Sequence, residues 1–139
     1  ILAFTQSSVE LDIQVDEETT ILTLPVANLT IGERLKIDSM ADIEIIFDGT
    51  GGEANGDYAI RYALFEDEVE VAAIVIENNV PFQGPDDIIV SEIPNLTWVR
   101  TATATSHTYM IKVTITSTDE EEILDATVGT RAMNIIVFD

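Results

Sequence analysis

Nearly every apolar stretch of this chain repeats with a period of two, and that alternation restricts it to strands with one buried face and one wet face. Val9, Leu11, Ile13 and Val15 alternate with Glu10, Asp12, Gln14 and Asp16. Ala41, Ile43, Ile45 and Phe47 alternate with Asp42 and Glu44, continuing a pattern begun by Leu35 and Ile37, as two strands or one bent strand. The strongest case is His107, Tyr109, Ile111, Val113 and Ile115 against Thr108, Lys112, Thr114 and Thr116, where β-branched residues fill both faces. The only stretch with any helical character, 119–126, is too short to hold a helix by itself.

The punctuation between these runs fits hairpins and loops. The segment 48–57, DGTGGEANGD, is too rich in glycine for any regular element. Glu66-Asp67-Glu68 reads as a hairpin tip between a strand through Tyr58 to Leu64 and the run from Val69 to Ile76. Pro25 assigns the stretch from Ile21 to Val26 to an edge or a bulge, because proline has no ladder donor. Pro81, Gly84 and Pro85 mark a further loop over 78–87. The end of the chain reads as two strands, 123–128 and 133–138, joined through Gly129. The second is apolar on both faces, with Met133, Ile135 and Val137 on one and Ile136 and Phe138 on the other, which is the pattern of a strand that is central or lies in an interface. About eight to ten strands at spacings near ten residues predict an all-β, antiparallel sandwich.

Composition narrows the functions open to such a sandwich. The 139 residues suit one domain, 1–139, able to bury a core without staples. Twenty-six Asp and Glu against six Lys and Arg give a net charge of -20, which opposes binding to nucleic acid or anionic lipid. With 46% hydrophobic residues and a mean hydropathy of +0.22, the chain carries too much apolar material for a disordered acidic tail. No apolar run reaches the roughly 18 residues of a membrane-spanning helix. There is no Cys, which removes disulfides and thiolate chemistry and leaves the compartment open. The chain begins with Ile, which fits either removal of a leader or the absence of the residues before it.

Chemistry-bearing constellations are sparse. The lone His107 neighbours Ser106, but adjacent residues on a strand point to opposite faces, so they form no nucleophile and base pair. The acids lie mostly in turn runs such as 16–18, 66–70 and 119–122, where they favour solubility and discourage edge pairing. Asp48, Glu53, Asn55 and Asp57 supply oxygens and lie among glycines, as in a calcium loop, yet the spacing departs from that of an EF-hand. Asn28-Leu29-Thr30 and Asn95-Leu96-Thr97 match the glycosylation triplet at the frequency chance provides. Trp98 and Tyr109 are read as core rather than as a ligand platform. No catalytic residue, metal ligand or cofactor is assigned.

Three segments carry a resemblance to a known family. Ile93-Pro94-Asn95-Leu96-Thr97-Trp98-Val99, then His107-Thr108-Tyr109, then Thr130 through Phe138 with Arg131-Ala132-Met133-Asn134, resemble the C-terminal half of small jelly-roll proteins of spore-forming Firmicutes. Leu35-Lys36-Ile37-Asp38-Ser39, Ile43-Glu44-Ile45 and the strand from Tyr58 to Leu64 are similar to the first half. These proteins are similar in fold to the complement and tumour-necrosis-factor superfamily. The resemblance implies a ten-stranded jelly roll without enzymatic activity, usually trimeric, displayed on the spore surface or in its appendages. It also implies a last strand near the threefold axis, which makes Met133, Ile135, Val137 and Phe138 the expected subunit interface. The chain departs from its relatives after the Trp-Val pair, with Arg100-Thr101-Ala102 in place of an Asp-Thr-Pro turn, and it lacks a collagen-type repeat.

The first residues add one more expectation. Residues 1–8 form an extended N-terminal connector ahead of a body that starts with the strand 9–15, and Ile1, Leu2, Ala3 and Phe4 are an apolar hook able to add to the sheet of another copy. Contacts of that kind run head to tail and build fibres. The expected partner is therefore the chain itself, as a homotrimer or a head-to-tail polymer, outside the cell or on the spore surface. The alternatives are a ligand- or receptor-binding head, calcium-assisted through the loop 48–57, and a phage capsid-decoration or fibre-head protein.

Overall fold

A computed structural model describes residues 2–50, 55–82, 84 and 86–138. The alternation becomes ten strands in two antiparallel sheets: β1 Leu2–Ser7, β2 Leu11–Asp12, β3 Thr19–Val26, β4 Arg34–Phe47, β5 Asn55–Glu66, β6 Val69–Pro81, β7 Ile88–Glu92, β8 Asn95–Thr101, β9 His107–Thr116 and β10 Ile123–Phe138. One sheet runs β1-β10-β4-β7, with β2 continuing β1 along β10 and β8 continuing β7 along β4; the other runs β3-β9-β5-β6. Taking β1 with β2 and β7 with β8 as single interrupted rungs, the first strand pairs with the last, the second with the last but one, and so inward to the hairpin of β5 and β6. That nested pairing is the jelly roll.

The inward rows interlock as the period of two requires. Along β4, Leu35, Ile37, Ala41, Ile43, Ile45 and Phe47 are buried in one unbroken row, so the two candidate strands of this region are one. Tyr58, Ile60, Tyr62 and Leu64 of β5 and Tyr109, Ile111, Val113 and Ile115 of β9 face them from the other sheet. Burying each such side chain contributes about 1.5–3 kcal/mol, and these rows hold the sheets together.

One polar group in this core is poorly satisfied. Tyr62 is fully buried, and its hydroxyl lies beside the Ser39 side chain without a fully formed hydrogen bond among the described residues. Burial pushes its pKa up to about 12. An unsatisfied buried hydroxyl costs about 1–3 kcal/mol, so Tyr62→Phe is expected to leave stability unchanged or raise it by about 1 kcal/mol, measured as the denaturant midpoint; a clear loss would show that the hydroxyl is satisfied in solution.

Both ends of the chain depart from the sequence expectation. The alternation over 9–15 does not make the first strand of the body: only Leu11–Asp12 pairs with β10, Val9 is exposed, and Ile13 adds a single bond to the carbonyl of Ala126. That place in the fold belongs to residues 2–7, which pair along their whole length with β10 of the same chain. The chain end is one strand of 16 residues rather than two, kinked where the register shifts between Val128 and Arg131. A shift of this kind lets one strand change direction without ending. The stretch 119–126 agrees with expectation, holding no longer helix than the 3-10 turn Glu120–Glu122 before β10 begins at Ile123.

Candidate functional site

The lone histidine is held on both sides. His107 opens β9 and is buried; its Nδ1 lies 2.6 Å from Asp67 Oδ2, and its Nε2 accepts the Thr103 N–H at 3.2 Å. Those partners define the neutral tautomer with the proton on Nδ1. Both ring nitrogens are therefore occupied, Nδ1 in anchoring the tip of the β5–β6 hairpin at Asp67 and Nε2 in holding the β8–β9 loop at Thr103. Asp67 (φ 50°) and Glu68 (φ 69°) both sit in the left-handed region, as a two-residue hairpin turn requires, although neither is glycine. Asp67 offsets that strain by accepting the Thr108 N–H at 2.8 Å and donating its own N–H to the Thr108 carbonyl at 2.9 Å. Desolvation works to raise its carboxyl pKa, but the hydrogen bonds from Thr108 and His107 prevail and hold it below the usual range.

The oxygens of the glycine-rich loop are used in turns. Asp48 accepts the N–H and hydroxyl of Thr50, and Asp57 accepts the N–H and hydroxyl of Thr118 together with the hydroxyl of Ser117. The Thr50 and Thr118 hydroxyls lead in holding the two carboxyls below their ordinary range. Glu53 lies outside the described residues. Among the described residues no three His, Asp or Glu side chains are grouped to hold a metal ion.

All six cations are engaged. Arg61 pairs with Glu70, Arg100 with Glu66, Lys36 with Asp38, and Lys112 with Glu18 while lying 4.5 Å over the Phe65 ring. Arg34 lies 4.7 Å over the ring of Phe138, and Arg131 donates to three backbone carbonyls. With 26 acids around them, these groups form no basic patch.

What remains is the outer face of β1, β10 and β4, where the fold joins the two sets of residues singled out from sequence. Antiparallel pairing puts Phe4 opposite Asn134, and Asn134 opposite Asp38. One step along, Gln6, Ala132 and Met40 form a second row. The small Ala132 leaves a groove of about 370 Å³ between Phe4 and Gln6 on one wall and Asp38 and Met40 on the other. Phe4 is 65% exposed, an aromatic ring standing in water, and Trp98, expected in the core, is also exposed, at 42%.

The residues expected at the interface are split by this geometry. Met133 and Ile135 point into the core of the same chain at 1% exposure, while Val137 and Phe138 are part-buried at the strand's end. The apolarity of β10 thus has a source within the chain, since β10 is a central strand between β1 and β4. Of the hook residues, Ile1 lies outside the described residues, Leu2 opens β1, Ala3 is half-buried and Phe4 is exposed. Asp38, Asn134 and Gln6 have no signature in the sequence as a group, because only the pairing of the first strand with the last brings them together.

No family model matches the sequence, and no curated protein does so significantly. Among solved structures, the C-terminal domain of EclA, described as a sugar-binding protein, is 13% identical with a TM-score of 0.43 over 91% of this chain and 78% of that one. The VP2 subviral particle of infectious bursal disease virus is 9% identical with a TM-score of 0.49, over 99% of this chain and 32% of that one. The insecticidal delta-endotoxin Cry8Ea1 from Bacillus thuringiensis is 8% identical with a TM-score of 0.45, over 94% of this chain and 20% of that one. The chain therefore spans about a third of the viral protein and a fifth of the toxin. Similarities of this size add nothing to the sandwich described above.

Proposed function

We propose that the chain is a non-enzymatic, single-domain structural subunit of the bacterial spore surface, a jelly roll that trimerises and extends into an appendage fibre through its N-terminal strand. The observation that carries this reading is β1. Residues 1–8 hold no charge in a chain with a net charge of -20, and β1 is paired on one side only, at the end of its sheet. An uncharged edge strand on a short link can pair with the β10 of a neighbouring copy in place of its own, using the same register. The spore assignment is supported by the segments 93–99, 107–109 and 130–138 that resemble the spore jelly rolls. The trimer contact would use the part-buried Val137 and Phe138 at the end of β10, with Met133 and Ile135 continuing the core-facing row of Val137.

The absence of cysteine makes the test direct. Gln6 and Ala132 lie opposite each other, at a separation a disulfide can span, so a Gln6→Cys/Ala132→Cys variant locks β1 wherever it pairs. Strand exchange gives a ladder of covalent multimers on a non-reducing gel and filaments in electron micrographs. Monomers linked only within themselves, with no filaments at physiological salt, would overturn the reading.

A further inference from the structure

We propose that the groove across β1, β10 and β4 binds a neutral saccharide, with Phe4 as the platform for the sugar ring and Gln6, Asn134 and Asp38 as the hydroxyl partners. The proposal stands apart from the assembly reading, because strand exchange would rebuild the groove with the same residues in the same register.

The chemistry of the groove selects the ligand. Its floor is β10, paired on one side with β1 and on the other with β4, so the backbone within the groove is consumed in the ladder and a peptide strand could pair only outside it, at the free edge of β1. Recognition falls to side chains. The side-chain amides of Gln6 and Asn134 make no hydrogen bond to any described residue, and each offers donors and an acceptor. Asp38 is an oriented acceptor: its Oδ1 takes the Thr97 hydroxyl at 2.6 Å and its Oδ2 faces Lys36 Nζ at 3.6 Å. Successive strands are spaced about 4.8 Å apart, so the row of Phe4, Asn134 and Asp38 sets a flat apolar plate beside an amide and then a carboxylate. A pyranose presents the matching set, with an apolar C–H face flanked by hydroxyls that both donate and accept. The volume of about 370 Å³ falls in the range of small-ligand sites. The charge sign completes the selection: Lys36, the cation beside Asp38, is already paired with it, and the chain carries a net charge of -20, so an anionic sugar would meet a net repulsive face.

The test is a titration of the 15N-labelled chain, followed by NMR, with methyl β-D-glucopyranoside, N,N′-diacetylchitobiose, D-glucuronate and an uncharged Ala-Phe-Thr-Gln peptide. At least one neutral sugar should move the amide signals of Gln6, Ala132 and Asn134 and leave those of β6, on the opposite sheet, in place. Phe4→Ala, at an exposed position that leaves the fold intact, should weaken that sugar by about tenfold, as loss of an aromatic anchor does. Asn134→Ala should weaken it as well, whereas Val75→Ala, exposed on the far sheet, should not. Three results would overturn the proposal: no shift from either neutral sugar, shifts from glucuronate or the peptide alone, or undiminished sugar binding by Phe4→Ala.

Discussion

Replacing Arg131 with alanine is expected to lower the thermal midpoint by about 10 °C, which is roughly 3 kcal/mol for a domain of this size. The guanidinium is buried, at 8% exposure, and its partners are carbonyls rather than a carboxylate. Its Nε donates to the Ile21 carbonyl at 2.7 Å, and its Nη1 donates to the carbonyls of Val9 and Gly129 at 2.8 Å each. One side chain thereby ties the link after β1, strand β3 and the kink of β10 to one another. Truncation leaves the Ile21 carbonyl desolvated without a donor and frees the link at Val9. Lysine keeps the charge but not the planar fork, so Arg131→Lys should recover only part of the loss. Hydrogen exchange separates this from general weakening: amides of β1 and β2 should lose more protection than those of β9. A change below about 2 °C with uniform exchange would show that the clamp contributes little.

Glu66→Ala should cost a similar amount, about 3 kcal/mol, and should also change how the protein responds to acid. Glu66 is 8% exposed, yet it accepts both Nε and Nη2 of Arg100, at 3.1 and 2.9 Å, and the hydroxyl of Tyr109 at 2.8 Å. Removing it strands a buried phenol and a part-buried guanidinium together. Burial alone would raise the Glu66 carboxyl, but the Arg100 fork and the Tyr109 hydroxyl outweigh burial and hold it below its ordinary value of 4.5. A carboxyl depressed on folding contributes stability that is whole above that ordinary value and is lost as pH falls through the lower folded value. The wild-type chain should therefore lose stability below about pH 4.5 with a component from Glu66, and the alanine variant should lack that component while being less stable at pH 7. Denaturant midpoints between pH 7 and pH 3 would show it; parallel curves for the two chains would mean that Glu66 carries no such linkage.

Strand identity was legible wherever the apolar alternation was both regular and long enough. His107–Thr116 was readable residue by residue, and so was the acidic hairpin tip at Asp67 and Glu68, because local pattern determines both. The pattern misled over 9–15, where a sound period of two lies on a segment that passes along the edge and forms only two residues of ladder. Alternation records which side chains face inward and does not record which backbone finds a partner. Pairing of the first strand with the last is a long-range choice, and the features that depend on it left no local trace. Arg131 reaches carbonyls 110 and 122 residues away, and the Phe4, Asn134 and Asp38 row exists only through the register of three strands. In β10, apolar residues on both faces were a correct sign of a central strand, and centrality within the chain accounts for Met133 and Ile135.

The register of β1 on β10 also determines how the protein meets mechanical load. Leu2 sits opposite Ile136, so the start of the first strand and the finish of the last lie side by side at one end of the sheet. Tension applied between Leu2 and Phe138 would then open the ladder like a zip, breaking its bonds one rung at a time, and β1 would peel away under small forces. If β1 instead pairs with the next copy along a fibre, the same tension runs along the strands and loads every rung at once. Strand exchange would turn the weakest direction of the isolated subunit into the strongest direction of the filament.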